Sequence, residues 1–285
     1  MIITQFKGGV GNQLLQYAAA KQFAIRGKTE LKFDMRNYDY GPGYVLDKFN
    51  IPQNIATPEE SDRLKNKDWI YYFEKIKPYY KRRFVWERNG EYDENLVGLS
   101  RSDMYIRGNF QSVDYFKDII PQIRSEFTLK NPLESTHPEI VQMVSENNSV
   151  SLHIRRGDIM VGAAAIDKPT VPLSYYEKAI ATIAEKINKP QFFVFSDDPD
   201  WVKDNLKIDF PVFFISGRNL NDCEELMAMT YCHHHITANS TFSWWGAWLG
   251  ENKDKITICP QKWFLDNNRN VVYLSHLLPK NWTII

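Results

Sequence analysis

The chain has 285 residues, 43% hydrophobic and 25% charged, which suits one large domain or two of ordinary size and leaves no segment compositionally disordered. Lysine plus arginine equals aspartate plus glutamate at 35 each. An anionic partner must therefore be held by a local cluster, and a nucleic-acid-wrapping surface, which would leave a basic excess, is disfavoured.

The N-terminus lacks the positive region, apolar run and cleavage site of a signal peptide, and no stretch approaches the roughly 18 apolar residues of a membrane span. MIITQF reads as a strand, GNQLLQYAAAKQFAIRGK as a helix ending near Gly27, and TELKFDM as a second strand. That helix sets Leu14, Tyr17, Ala18, Lys21, Gln22 and Ile25 at helical spacing. Residues 57–88 read as partly helical and are dense in aromatic and basic side chains, DMYIRGNF reads as a strand, and SVDYFKDIIPQIRSEFTL as a helix interrupted or restarted at Pro121. KNPLESTHPEI, with two prolines, reads as a linker or crossover.

Beyond it the alternation is cleaner. SVSLHI, QFFVFS, PVFFIS, HHHITA and a last strand KITICP are separated by the helices LSYYEKAIATIAEKI, DDPDWVKDNL, DCEELMAMTYC and STFSWWGAWLG. The uninterrupted apolar run of QFFVFS is that of a strand in a buried parallel sheet. Short strand–helix units of this kind build doubly wound α/β sheets. Two runs, split near residues 130–148, predict two Rossmann-like halves facing a cleft, with no sequence repeat between them. Cys223, Cys232 and Cys259 are scattered, as free thiols in a reducing compartment would be. The expected location is cytoplasmic, and the sequons at Asn147, Asn239 and Asn281 read as chance matches.

Three constellations carry chemistry. In LHIRRGD, His153, Arg155 and Arg156 stand at the carboxyl end of a strand, the edge where open α/β sheets bind ligands. Adjacent residues there point to opposite sides, so one guanidinium faces a ligand and the other braces the structure; a forked, permanent charge matches a diphosphate. The alternative is a surface arginine pair neutralised by Asp158 and Asp167. In FSDDPDW the acids Asp197, Asp198 and Asp200 resemble a metal-binding triplet but read better as a helix cap, with Asp at the N-cap and Pro in the first turn; Asp197 or Asp198 can also restrain an arginine. In ANSTFSWWGAWLG, Asn239, Ser240, Thr241 and Ser243 cluster at a strand-to-helix turn able to cradle an anion, and Trp244, Trp245 and Trp248 read as core behind it. His233–His235 cannot converge on a metal from consecutive strand positions. WIYYFEKIKPYYKRRFVW, residues 69–86, reads first as packed aromatics with snorkelling cations; sugar stacking, peripheral membrane contact and single-stranded nucleic acid are the alternatives.

Taken in order, GGVGNQLLQYA, HIRRGD, FSDDPDW and NSTFSWWGAWL closely resemble the alpha-1,2-fucosyltransferases of glycosyltransferase family eleven, across residues 8–249. The resemblance implies an α/β fold of the GT-B type, with two facing Rossmann-like domains about a cleft. Residues 1–135 would form an N-terminal acceptor-side domain and 136–285 a C-terminal nucleotide-sugar domain. It implies L-fucose transfer from GDP-beta-L-fucose to the 2-hydroxyl of a terminal galactose, inverting and without a divalent metal or other cofactor. Arg155 and Arg156 would supply the main diphosphate ligand, with His153 near the nucleotide. Asp197 and Asp198 would organise the pocket, Asn239 and Ser240, Thr241, Phe242 and Ser243 would meet phosphates or fucose, and Glu225 would contact guanine. Asp158 is a candidate general base, weakened by its arginine neighbours.

GGVGNQ lacks the Lys-Ser/Thr of a nucleotide P-loop. On the resemblance, Gly9 and Gly11 let backbone approach the sugar, and Asn12 and Gln13 contact donor or acceptor hydroxyls; alternatively Asn12 caps the helix. The absence of a leading anchor matches a soluble bacterial form. The expected partners are GDP-fucose and a galactose-terminated oligosaccharide or lipid-linked glycan, with residues 69–86 a possible contact to the inner face of the membrane. The rival readings are another nucleotide-sugar transferase on the same scaffold and a non-catalytic glycan-binding protein.

Overall fold

In a computed structural model that describes residues 1–36, 43–65, 73–87, 92–146, 148–157 and 167–285, the chain groups into two compact units. One is Met1–Thr128 with Ser275–Leu277, the other Leu129–Leu274 with Leu278–Ile285.

In the first unit the described strands are β1 (Ile2–Gln5), β2 (Leu31–Asp34), β3 (Phe84–Trp86) and β4 (Met104–Arg107), and they form one parallel sheet in the order β2-β1-β4-β3. Helix α1 (Val10–Arg26) connects β1 to β2. Its alanine-rich middle suits a helix, and it is buried almost all round, from Val10 to Phe23 with Asn12 and Lys21 half out. Ile25, near its end, is 43% exposed. Gly27 ends the helix where no side chain fits: a Cβ there would lie 2.3 Å from the Arg101 carbonyl oxygen. Short helices α2 (Pro58–Lys65), α3 (Glu94–Val97) and α4 (Ile120–Glu126) complete the described helices of this unit. Ile3 and Tyr105 pack with Ala56 and Leu64 on one side of the sheet.

The second unit opens with α5 (Leu133–Thr136) and α6 (Pro138–Val144). These occupy the segment expected to be a linker: Pro138 stands in a first helical turn, where its missing N–H costs nothing, so it starts a helix rather than breaking one. Then follow β5 (Ser149–Ile154), α7 (Leu173–Lys186), β6 (Gln191–Ser196), α8 (Pro199–Asn205), β7 (Val212–Phe214), α9 (Asp222–Tyr231), β8 (His234–Ile236), α10 (Thr241–Leu249), β9 (Thr257–Cys259), α11 (Asn267–Leu277) and β10 (Thr283–Ile284). The sheet is parallel throughout, ordered β10-β9-β8-β5-β6-β7. Strands β3 and β10 and helix α11 have no counterpart in the sequence reading, and β10 rather than KITICP is the final strand.

Strand alternation divides the second core. Val150, Leu152 and Ile154 of β5 point to one face, against Tyr175, Tyr176, Ala179 and Ile183 of α7 and Val202 of α8. Ser151 and His153 point to the other face, where the Ser151 hydroxyl is 2.8 Å from His235 Nδ1 and the His153 ring is 5.4 Å from that of Phe242. Helix α10 is buried along its length apart from Phe242, and its Trp244, Trp245 and Trp248 stack on one another, as core residues. Gly246 lets it approach α9, since a Cβ there would be 2.7 Å from the Met229 Cβ.

Candidate active site

In a parallel sheet all carboxyl ends share one edge, and ligands bind where the strand order reverses. In the second unit the chain runs outward from β5 to β6 and β7, then returns to β8 on the other side of β5. The reversal lies between β5 and β8. The residues just beyond these two strands are Arg155–Gly157 and Thr237–Ser243, so two of the three sequence constellations meet at the switch point, with Asp197 and Asp198 beside them after β6.

The two arginines are differently placed. Arg156 continues the Ile154 face; its guanidinium lies 3.5 Å from the Trp201 ring centroid and its Nε 3.6 Å from Asp198 Oδ2. It is the bracing arginine. Arg155, half-buried, is the first residue after β5, at the same sheet edge as the start of α10. The turn carrying both is latched from β6: Asp197 Oδ1 accepts the Arg156 N–H at 2.8 Å and Oδ2 the Gly157 N–H at 2.9 Å. Asp198 caps α8, accepting from the Trp201 N–H at 3.3 Å. Asp200 is exposed and pairs with Lys203. Asp158, the base candidate, lies outside the described residues.

At the start of α10, Ser240 caps the helix through the Phe242 N–H, and Ser243 Oγ accepts the Ala238 N–H at 3.2 Å. Thr241 is buried and Phe242 half-buried. Asn239 is fully buried; its Nδ2 donates to the Pro169 carbonyl at 2.8 Å, its carbonyl accepts from Lys168 Nζ at 3.4 Å, and its Oδ1 has no hydrogen-bond partner among the described residues. Glu225, in the first turn of α9, accepts from the Ser216 hydroxyl at 2.8 Å, and that hydroxyl accepts the Ser196 N–H at 2.9 Å. Burial pushes the Glu225 carboxyl up to about 7.

The histidine run is spent internally. His234 Nδ1 accepts the Ile256 N–H at 3.1 Å, and burial holds His235 well below the usual imidazole range. Among the described residues no three His, Cys, Asp or Glu side chains converge as metal ligands.

In the first unit the order reverses between β1 and β4, and the glycine loop follows β1. Gly8 takes φ +77°, and a Cβ there would come 2.8 Å from Asn12 Nδ2. Gly9 is the N-cap of α1 with no side-chain cap bond, so Asn12 does not cap the helix; its Oδ1 accepts from Gln111 Nε2 at 3.1 Å instead. Gly11 is buried in the first turn. Gln13 is fully buried, with Nε2 donating to the Gly8 and Gly43 carbonyls at 2.9 and 2.7 Å and Oε1 accepting the Val45 N–H. Both hydrogens of its amide are thereby spent on bracing the loops.

Several residues of this neighbourhood escape sequence reasoning. Glu87 Oε2 accepts the Asn109 and Phe110 N–H groups at 2.6 and 2.8 Å, fixing the turn that carries Gln111, and burial pushes this carboxyl up to about 7. Trp201 was legible as an aromatic three residues after an aspartate cap. Glu87, Gln111, Ser216 and Lys168 reach their partners only through the tertiary fold.

Two parallel sheets, each with a ligand edge at its switch point, define a protein of two Rossmann-like domains of the glycosyltransferase GT-B type. The fold is similar to that of the crystallised alpha-1,6-fucosyltransferase NodZ with GDP (TM-score 0.55, 13% identity, 87% of this chain and 91% of that one). The family model "Glycosyl transferase family 11" matches residues 43–285, and the chain belongs to that family. It is 31% identical to an alpha-1,2-colitosyltransferase of Escherichia coli over 93% of this chain and 92% of that protein. It is 30% identical to the Escherichia coli O-antigen biosynthesis glycosyltransferase WbnK, covering 92% and 95%. With galactoside alpha-(1,2)-fucosyltransferase 1 of Aotus azarae it shares 28% over 85% of this chain and 63% of that protein.

Proposed function

We propose that this glycosyltransferase moves L-fucose from GDP-beta-L-fucose to the 2-hydroxyl of a terminal galactose, with inversion and without a metal. The observation that carries the reading is the division of labour at the β5 strand end. Arg156 is held by Trp201 and Asp198 and the turn is latched by Asp197, which leaves Arg155, next after β5, as the arginine this reading assigns to the diphosphate at the switch point. In the transfer, the acceptor oxygen bonds to the fucose anomeric carbon as the bond from that carbon to the β-phosphate oxygen breaks. The electron pair leaves with GDP, and the hydroxyl proton passes to a base or water. Arg155 and the α10 amides stabilise the charge that gathers on the leaving diphosphate. His153, Asn239, Thr241 and Phe242 line that side, and Glu225 accepts from guanine. In the first unit, Gly9, Gly11 and Asn12 serve the sugar hydroxyls.

Colitose is L-fucose without its 3-hydroxyl, and similarity to a colitosyltransferase supports it as a second donor sugar. Incubating the protein with GDP-fucose or GDP-colitose and a panel of galactosides, followed by product linkage analysis, separates the two. Thermal shifts with GDP, UDP and ADP form the control: strong stabilisation by GDP alone is expected, and equal response to all three would sink the donor assignment.

A further inference from the structure

We propose that residues 73–86 of the first unit form a docking surface for the face of an anionic phospholipid bilayer. This goes beyond the transfer reaction and does not rest on it. Although the whole chain is charge-balanced, this stretch sets Lys75, Lys77, Lys81, Arg82 and Arg83 against a single acid, Glu74. Glu74 is turned inward, 8% exposed, paired with Lys77 Nζ and accepting the Arg83 N–H at 2.7 Å, which leaves the stretch a surplus of four cations. Arg82 is anchored on the Lys75 and Lys77 carbonyls, which hold its guanidinium in place without neutralising it.

Among these cations stand large apolar side chains in water. Phe73 is 63% exposed, Trp86 55% and Ile76 84%, the highest of the large hydrophobic residues described. Only Val85, and Phe84 in part, turn to the core, so the packed-aromatic reading accounts for the strand but not for its flank. A groove of about 220 Å³ runs here, lined by Tyr79, Phe84, Trp86, Lys75, Arg82, Arg83 and the acid Glu74.

Two plainer explanations cover part of this. β3 is an edge strand of its sheet, and cations guard edges against pairing with other strands, but Phe73 and Ile76 are not on that strand. An acidic protein would match the cations but leaves an exposed isoleucine between two lysines without a purpose. Basic side chains alternating with inserted apolar ones are what an anionic bilayer face selects, through headgroup attraction and shallow burial together.

The test is co-sedimentation with vesicles of phosphatidylcholine alone and of phosphatidylcholine with an equal part of phosphatidylglycerol. The wild type should pellet with the anionic vesicles only, and added salt should weaken the binding. Ile76→Asp and Lys81→Glu should each cut binding about tenfold with the melting temperature unchanged, since both side chains stand at the surface and neither is in an ion pair among the described residues. Absence of pelleting, equal pelleting with both vesicles, or undiminished binding of Ile76→Asp would each overturn the proposal.

Discussion

Arg155→Ala and Arg156→Ala should fail in different ways, and the structure sets the size of each failure. Arg156 loses a cation–aromatic contact to Trp201 at 3.5 Å and an ion pair to Asp198 at 3.6 Å. Its side chain is 19% exposed, so the stacking contributes about 1–2 kcal/mol. Asp198 is 41% exposed, which holds the ion pair to about 0–1 kcal/mol. The loss of about 1–3 kcal/mol should lower the melting temperature by roughly 2–8 °C. Trp201→Ala should reproduce most of that shift, and the double variant should lose less than the sum. Arg155→Ala should lose about 100- to 1,000-fold in kcat, the usual effect of removing one preorganised donor from a developing anion. Melting curves and initial rates of GDP release measure both. Near-wild-type turnover in Arg155→Ala, or an inactive Arg156→Ala with an unshifted melting curve, would refute the assignment.

Gly9→Ala adds a methyl group that meets no protein atom within 4 Å, so folding should change by no more than about 1 kcal/mol while turnover drops; full activity would remove Gly9 from the site. For Glu225, acceptance of guanine N–H groups requires the ionised carboxylate, so GDP affinity should rise with pH through about 7. Glu225→Gln should flatten that profile, and an unchanged profile would exclude the guanine contact. The stability effect runs the other way: the unfolded chain releases this proton near 4.5 and the folded chain near 7, so folding loses stability from about 4.5 up to about 7, and Glu225→Gln should reduce that slope. Excess EDTA should leave turnover intact; a loss restored by manganese would return Asp198 and Asp200 to the role of metal ligands.

The parallel sheets were legible because strand and helix signals alternate at regular spacing; QFFVFS is buried beyond Gln191 as its apolar run requires, whereas SVSLHI, which alternates polar with apolar, is buried on both faces. Short peripheral elements were not. β3 and β10 are three and two residues long, too short for a period to emerge, and helix α11, with Asn and Arg near its start, resembles a polar loop until tertiary contacts bury Tyr273 and Leu277. In the site, residues at strand ends could be placed from sequence because chain topology alone fixes which edge they share. Which arginine braces could not, since that depends on a tryptophan 45 positions away in the chain finding its face. Gln13 shows the same dependence on the tertiary fold. An amide in a glycine-rich loop looks available in sequence, and only the return of Gly43 and Val45 beside it takes up its hydrogen bonds.

The acidic pair after β6 is the point at which two mechanisms separate. A carboxylate beside a bound diphosphate would repel it unless its charge is matched, either by a cation shared with the phosphates or by donors of the protein itself. Here the protein supplies the donors. Asp197 uses one oxygen on each of two backbone amides, and Asp198 faces the Trp201 amide and the Arg156 guanidinium. The Asp197 hydrogen bonds tie the Arg155–Gly157 turn to the neighbouring strand. On the proposed reading, the acids lend rigidity to the loop that carries Arg155, and preorganised charge would act without reorganising at the moment of transfer. Asp197→Asn separates this account from a metal-ligand role. An amide can accept from only one of the two backbone N–H groups and turns a donor toward the other, so the loop should loosen. Donor KM should then rise and the melting temperature fall together, and added manganese should restore neither. Rescue by manganese, or a loss of turnover with KM and melting temperature unchanged, would contradict the bracing role.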